Sequence, residues 1–386
     1  MKLPPSKRII IEKNKPFSES AIWNMQREYF DKEGINAWVN QVPFYITSNP
    51  FIAQAYTKLV LGFICDWLAK NPQAKKDPFY ILELGTGSGR FSYFFVKTLL
   101  EYLERMNMQD VQFCYVMTDF TKHNMQYWET HPELKPLVDK GLIDFAIYNM
   151  ELEEPIILEK SKKTLNPELL TNPLTVFANY IFDTITHDSF TVRNRKIHEL
   201  LLSLSTDQNN MNGNQPINME AITVDYSINE IHGGYYGDPH LDSILDEYKK
   251  TLQETSFLFP IGSFKAIKYL RALSNNNLLI LSTDKGYNTV ESLDHLSHPT
   301  ISFHGSFSMM VNFHAIKEYF KNIGGDAVLQ QSRKGIKTSV FASGFKLSDS
   351  PQLAVAIEEH VEGFSPGDYF VLHTRMSEAF QECSVA

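Results

Sequence analysis

Cysteine is scarce in this chain. Its 386 residues hold three, Cys65, Cys114 and Cys383, with no CxxC spacing and no Cys/His cluster. That excludes a disulfide scaffold or a zinc ribbon, and the thiols read as reduced in a cytosol-like compartment. Basic residues are also few: 36 Lys and Arg against 45 Asp and Glu leave a net charge of −9. Such a balance disfavours broad affinity for nucleic acid. No apolar run approaches a membrane span. Residues 1–15 are basic but lack the apolar core of a secretory signal. The expectation is a cytoplasmic chain with no membrane insertion and no nucleic-acid partner, with organellar import left open.

What the chain does have is one arresting stretch, Phe79-Tyr80-Ile81-Leu82-Glu83-Leu84-Gly85-Thr86-Gly87-Ser88-Gly89. A β-leaning apolar run ends in an acid, then in three glycines at alternate positions. Phe91, Phe94, Phe95, Leu99 and Leu100 follow at helical spacing. Strand, glycine turn and amphipathic helix together open a nucleotide-binding βαβ unit. Glu83 chooses among nucleotides. A carboxylate at the strand end repels a pyrophosphate but attracts the ammonium and sulfonium of S-adenosylmethionine. Ser92 also stands where a dinucleotide fingerprint needs its last glycine. The cofactor set read here is Glu83, Gly85, Thr86, Gly87, Ser88 and Gly89, joined by Asp119, Met150, Glu151 and Asn179 at the ends of later strands.

A helix over Pro50–Trp67, capped by Asn49 or Ser48, should lead into this strand. Later strands are expected at Val111–Met117, Ile143–Ile147, Leu174–Ala178 and Leu278–Leu281. In an open α/β sheet the ligand lies at the strands' carboxyl ends. Asp119 is therefore placed to accept ribose hydroxyls, with helix capping as the other reading. Met150 and Glu151 could bracket an adenine. Asn179 and Asp183, after the fourth strand, are candidates to hold the methyl acceptor and take its proton, with helix capping again the alternative. Asp284 is a second candidate acid and His187 a candidate base. Ala327–Gln331 and Thr338–Ala342 should form a closing antiparallel hairpin. Asp238, His240 and Asp242 mimic a metal site only in spacing, so no metal is expected.

The fold class expected is α/β, a Rossmann-like class I S-adenosylmethionine-dependent methyltransferase with a seven-stranded sheet. The expected parts are an N-terminal helical module over 1–70 and a core over 71–190 and 266–345. An insertion over 191–265 would act as a substrate lid. An extension over 346–386 would carry a helix and a strand at Tyr369–His373.

Four separated segments resemble the MidA family of methyltransferases, which includes the complex I assembly arginine methyltransferase. They are Phe44-Tyr45-Ile46-Thr47-Ser48, the Glu83–Gly89 turn, Asn179-Tyr180-Ile181-Phe182-Asp183, and Asp284-Lys285-Gly286-Tyr287 followed by Val311-Asn312-Phe313. The resemblance implies methyl transfer to a protein side-chain nitrogen, most plainly arginine, with Tyr45, Thr47 and Tyr180 near the substrate. A homodimer is among the assemblies it allows. The chain departs from the family at Tyr180, Lys285, Ser306, Met310 and Asn312, where acids and a histidine are usual. A small-molecule methyltransferase and an inactive cofactor-binding assembly factor therefore stand as alternatives.

Overall fold

A computed structural model describes residues 8–37, 48–207, 217–231, 233–331 and 335–383. Tyr45 and Thr47 lie outside the described residues. The chain divides into two compact units. One comprises Pro43–Ile181, Lys265–Gly286 and Phe320–Ala386, and the other takes the chain before it, Phe182–Phe264 and Tyr287–Tyr319.

The first unit holds a seven-strand path: β1 Phe79–Glu83, β2 Phe113–Asp119, β3 Ile143–Ile147, β4 Leu174–Phe177, β5 Leu278–Tyr287, β6 Asp326–Leu329 and β7 Ile336–Ser343. Their order is β6-β7-β5-β4-β1-β2-β3. The pairs among β1 to β5 are parallel. Strand β7 runs antiparallel to both β5 and β6. The order reverses between β1 and β4, and a crevice for ligand opens where such a reversal occurs. This is the Rossmann-like methyltransferase architecture expected from the sequence, closing hairpin included. The five central strands read as continuous apolar runs because the sheet is covered on both faces.

Helix α1, Pro50–Lys70, and helix α2, Arg90–Arg105, supply much of that cover. Asn49 accepts the Ile52 N–H and Pro50 takes the first turn of α1, as expected. The helix is long and apolar enough to span a membrane, against the reading that no run qualifies. Yet Ile52, Tyr56, Leu59, Val60, Phe63 and Ile64 are all buried in the unit's core. Each such side chain contributes about 1.5–3 kcal/mol of burial. Close approach marks its far half. Asp66 accepts the N–H groups of Gln352 and Leu353, at 3.2 and 2.9 Å, where helix Pro351–Ile357 begins. A Cβ on Gly62 would lie 2.8 Å from the Gln352 carbonyl oxygen. Gly62→Ala should therefore destabilise this unit by about 1–3 kcal/mol, read as a lowered midpoint in urea.

Three expectations are redrawn. The module over 1–70 is divided, because Arg8–Lys15 is a strand in the second unit, pairing with Lys196–Asp207. Helix α1 belongs to the first unit instead. The stretch expected as an insertion over 191–265 is not a lone excursion. Its strands share an antiparallel sheet with Arg8–Lys15 and Asp188–Arg193. Phe17, Trp23, Leu202, Leu204, Met219 and Phe307 are packed in that unit's core. Lastly, Tyr369–His373 is helical, within Pro366–Cys383. Ser365 Oγ donates to Asp368, whose N–H donates back to Ser365 Oγ, a reciprocal cap that starts this helix.

Candidate functional site

Strand β1 delivers Glu83 to the point where the sheet order reverses. The side chain is only 6% exposed. Its Oε2 accepts a hydrogen bond from Ser92 Oγ at 2.5 Å and one from Thr86 Oγ1 at 3.1 Å. Tyr115 stands beside it without a formed hydrogen bond. No lysine, arginine or histidine pairs with Glu83 among the described residues. Burial pushes its carboxyl up to about 7, and the hydroxyl donors only partly offset that. A carboxylate held this way has a cost that a bound cation would relieve.

The turn after it is more firmly tied than the sequence suggested. Gly85, Gly87 and Gly89 all have positive φ, at 59°, 60° and 74°. That is why glycine recurs at alternate positions. A Cβ on Gly85 would overlap Ile181 Cδ1, and one on Gly89 would lie 2.8 Å from Met117 Cε. The Thr86 N–H donates to the Thr118 carbonyl at 2.8 Å, and Thr118 N–H returns to Thr86 Oγ1 at 3.1 Å. Trp128 Nε1 donates to the Gly87 carbonyl at 2.8 Å. The Thr86 amide is therefore already satisfied within the fold.

Asp119 accepts from Thr121 N–H and Oγ1 on one oxygen and from Asn124 Nδ2 at 2.7 Å on the other. Three donors leave a carboxylate one lone pair for a ribose hydroxyl. Its pKa is raised by burial. The residue also orders the entry to helix Lys122–Thr130. Asn149 forms a turn after β3 by accepting the Glu151 N–H, leaving Met150 and Glu151 half-buried.

At the end of β4 no helix begins, so Asn179 does not cap one. Its Oδ1 accepts from the Thr283 N–H at 3.1 Å and from the Tyr56 hydroxyl at 2.6 Å. Tyr56 also bonds Thr283 Oγ1, which bonds Thr338 Oγ1. Asn179 Nδ2 is buried and has no partner among the described residues. Tyr180 follows with φ 52°, a left-handed turn that a bulky residue rarely adopts. That turn brings Ile181 against Gly85.

The catalytic expectations fare unevenly. Asn179 and the Glu83 turn lie in one unit, and so does Asp284. Asp284 is fully buried in β5 and its Oδ1 accepts the Lys285 N–H at 2.7 Å. Asp183 is 1% exposed and belongs to the other unit, as does His187. His187 is buried against Trp23, with Nε2 on the Phe182 carbonyl, a structural rather than a basic role. Asn312 accepts the Ala315 N–H at the start of helix Phe313–Asn322 and donates to the Leu258 carbonyl. Asp238 caps helix Pro239–Thr251, and Asp242 accepts the Tyr236 N–H.

Sequence reasoning missed Ser92, Tyr56 and Thr283. Ser92 was noticed only for not being glycine, although one turn into α2 it faces back toward the strand end. Tyr56 lies on the apolar face of α1, and its hydroxyl is the available sign.

No protein-family model matches this chain, and no curated protein matches it. Among solved structures, the chain is similar to an uncharacterized COG1565 superfamily protein from Burkholderia thailandensis, at 10% identity and TM-score 0.46, over 87% of this chain and 97% of that one. It is similar to a second COG1565 superfamily member from the same organism, solved with S-adenosyl-homocysteine, at 12% identity and TM-score 0.45, over 82% of each chain. The magnesium protoporphyrin IX methyltransferase of Synechocystis PCC 6803, with bound S-adenosylmethionine, is similar at 9% identity and TM-score 0.35, over 83% of this chain and 96% of that one.

Proposed function

We propose that the chain is an S-adenosylmethionine-dependent methyltransferase. The observation that carries this reading is Glu83: a buried carboxylate with hydroxyl partners alone, at the carboxyl end of β1, before a turn of three left-handed glycines. Among nucleotide ligands, the one with a cationic amino-acid end fits that charge, whereas a pyrophosphate does not. Glu83 would hold the ammonium. Gly85 keeps the floor of the turn low enough for close approach. Bound there, the cofactor supplies an activated methyl group. The protein's task is then mainly alignment, which is worth at most about 7–11 kcal/mol.

For the acceptor, a protein side-chain nitrogen, arginine above all, is the reading that the resemblance supports. Asp284, the second candidate acid and in the same unit as Glu83, is the residue offered for proton removal. The side-chain oxygen of Asn179 cannot share that task, because it is taken by Thr283 and Tyr56, which leaves its backbone carbonyl as the group that faces the acceptor. A small molecule is the second reading, favoured by this loss of an acceptor for a guanidinium. The experiment is transfer of label from methyl-tritiated donor into protein and into a low-molecular-weight extract. Label in the protein fraction, as methylarginine after hydrolysis, is the expected result. Label in neither fraction would overturn the enzymatic reading.

A further inference from the structure

Helix Pro366–Cys383 begins anchored and ends unsupported. A Cβ on Gly367 would lie 2.5 Å from the Ile336 carbonyl oxygen, so the first turn sits hard against β7. The Tyr369 ring stacks on Phe51 at 4.6 Å and 6°, and the Phe364 ring meets Phe51 edge-on. Beyond Phe370 that support stops. Every residue over 371–379 is exposed, although the helix continues to Cys383. At 1.5 Å per residue, about 20 Å of helix projects from its unit. A helix that short is marginal in water by itself, and in proteins the packing of an apolar face stabilises it. Such a face is present: Leu372 and Met376 are each 49% exposed.

The spacing along the helix says which partner fits. Tyr369, Leu372, Met376, Ala379 and Cys383 recur at alternating steps of three and four, the a and d positions of a heptad. A second copy of the same helix, running antiparallel, sets a against d. Met376 then faces Ala379 of the second copy, and Leu372 faces Cys383. Each layer matches a large residue with a small one, the alternation that lets layers interdigitate. The pairing is two-fold, so every match occurs twice. Charge agrees with it. Arg375 and Glu382 share the g position, and antiparallel helices bring g beside g. The helix has no basic residue in its last turn, so nothing within that turn offsets Glu382 at the negative end of the dipole. Arg375 of the second copy supplies a cation there. A parallel pair would set Arg375 beside Phe380 and leave both charges unmatched.

We propose that the stretch 371–383 is a dimerisation helix that pairs antiparallel with the same stretch of a second copy of this chain. The two-fold axis falls between Ser377 and Glu378, beyond the last supported turn, so two copies can meet without rearranging either. None of the segments that carry the family resemblance reaches this helix. The pairing uses no residue of the Glu83 turn and holds whatever that turn binds.

The test is sedimentation equilibrium of the full chain from about 1 to about 100 µM, a range over which mass action shifts a weak dimer. Wild type should approach twice its 44.4 kDa at the upper end and move toward the monomer on dilution. Met376→Glu should weaken association by about tenfold or more, because it drives a charge into an apolar layer. The position is exposed in the single chain, so the urea midpoint at low concentration should not change. Leu372→Glu, on the same stripe, replaces it if that variant fails to fold. Arg375→Glu and Glu382→Arg should each weaken the dimer alone. An equimolar mixture of the two should restore it, since each chain then meets its opposite charge at both ends. Wild type monomeric throughout overturns the proposal, whether another protein covers the helix or nothing does. A dimer that the glutamate variants leave intact also overturns it, as does a mixture no tighter than either charge variant alone.

Discussion

Glu83→Gln is expected to lose S-adenosylhomocysteine binding by at least about 100-fold while making the free protein more stable above pH 7. Both effects come from one charge. Replacing the carboxylate removes the charge that pairs with the ligand's ammonium, and leaving a buried charge unpaired costs about 3–5 kcal/mol. In the free protein the same carboxylate is a burden. Burial raises its pKa from 4.5 to about 7. A carboxyl raised in this way contributes stability that is present below its unfolded value, near 4.5, and lost as pH rises through about 7. Glutamine has no such loss. Its amide oxygen can still accept from Ser92 and Thr86. At pH 8 the variant should therefore be more stable than wild type by up to about 3 kcal/mol, while near pH 4 the two should match. Urea midpoints at the two pH values read the difference. A carboxylate that mattered only for folding would give the opposite sign at pH 8.

The second large effect is expected at Gly85. An alanine there meets two obstacles at once, a left-handed backbone at φ 59° and overlap with Ile181 Cδ1. The backbone term costs about 1–2 kcal/mol for a residue with Cβ. The overlap involves the tip of a side chain that can shift, so Gly85→Ala should fold. It should nonetheless displace the turn, and cofactor affinity should fall by about 30-fold or more, since 1.4 kcal/mol is a factor of ten. The pair Gly85→Ala with Ile181→Ala separates the two causes. If overlap dominates, the double variant recovers most of the affinity that the single one loses. If the backbone dominates, the losses add.

Much of the core was legible because its signals are local. The β1 run, the alternating glycines and the α2 pattern stand within a short stretch, and each has one physical meaning. Ile143–Ile147 was read with the bounds that it has. The closing hairpin was visible as two alternating segments after Gly324-Gly325. What failed depended on partners distant in sequence. Arg8–Lys15 becomes a strand only because Lys196–Asp207 lies beside it. Asn179 was read as a group that accepts, and nothing in the sequence says that Thr283 takes that oxygen. One error was avoidable. Ser365-Pro366-Gly367-Asp368 carries the signature of a helix start, so the strand expected at Tyr369–His373 ignored a local rule.

The central claim is that a buried, cation-seeking carboxylate at position 83 receives the amino-acid end of the methyl donor. Its most direct test is calorimetric titration of the wild-type chain with S-adenosylhomocysteine at pH 6.0 and 7.5, each in two buffers of different ionisation enthalpy. A Glu83 pKa of about 7 in the free protein, lowered when the ammonium docks, predicts about eightfold tighter binding at pH 7.5. It also predicts release of close to one proton at pH 6.0. Absence of binding at millimolar ligand, or binding with the same affinity and no proton release at both values, would contradict it.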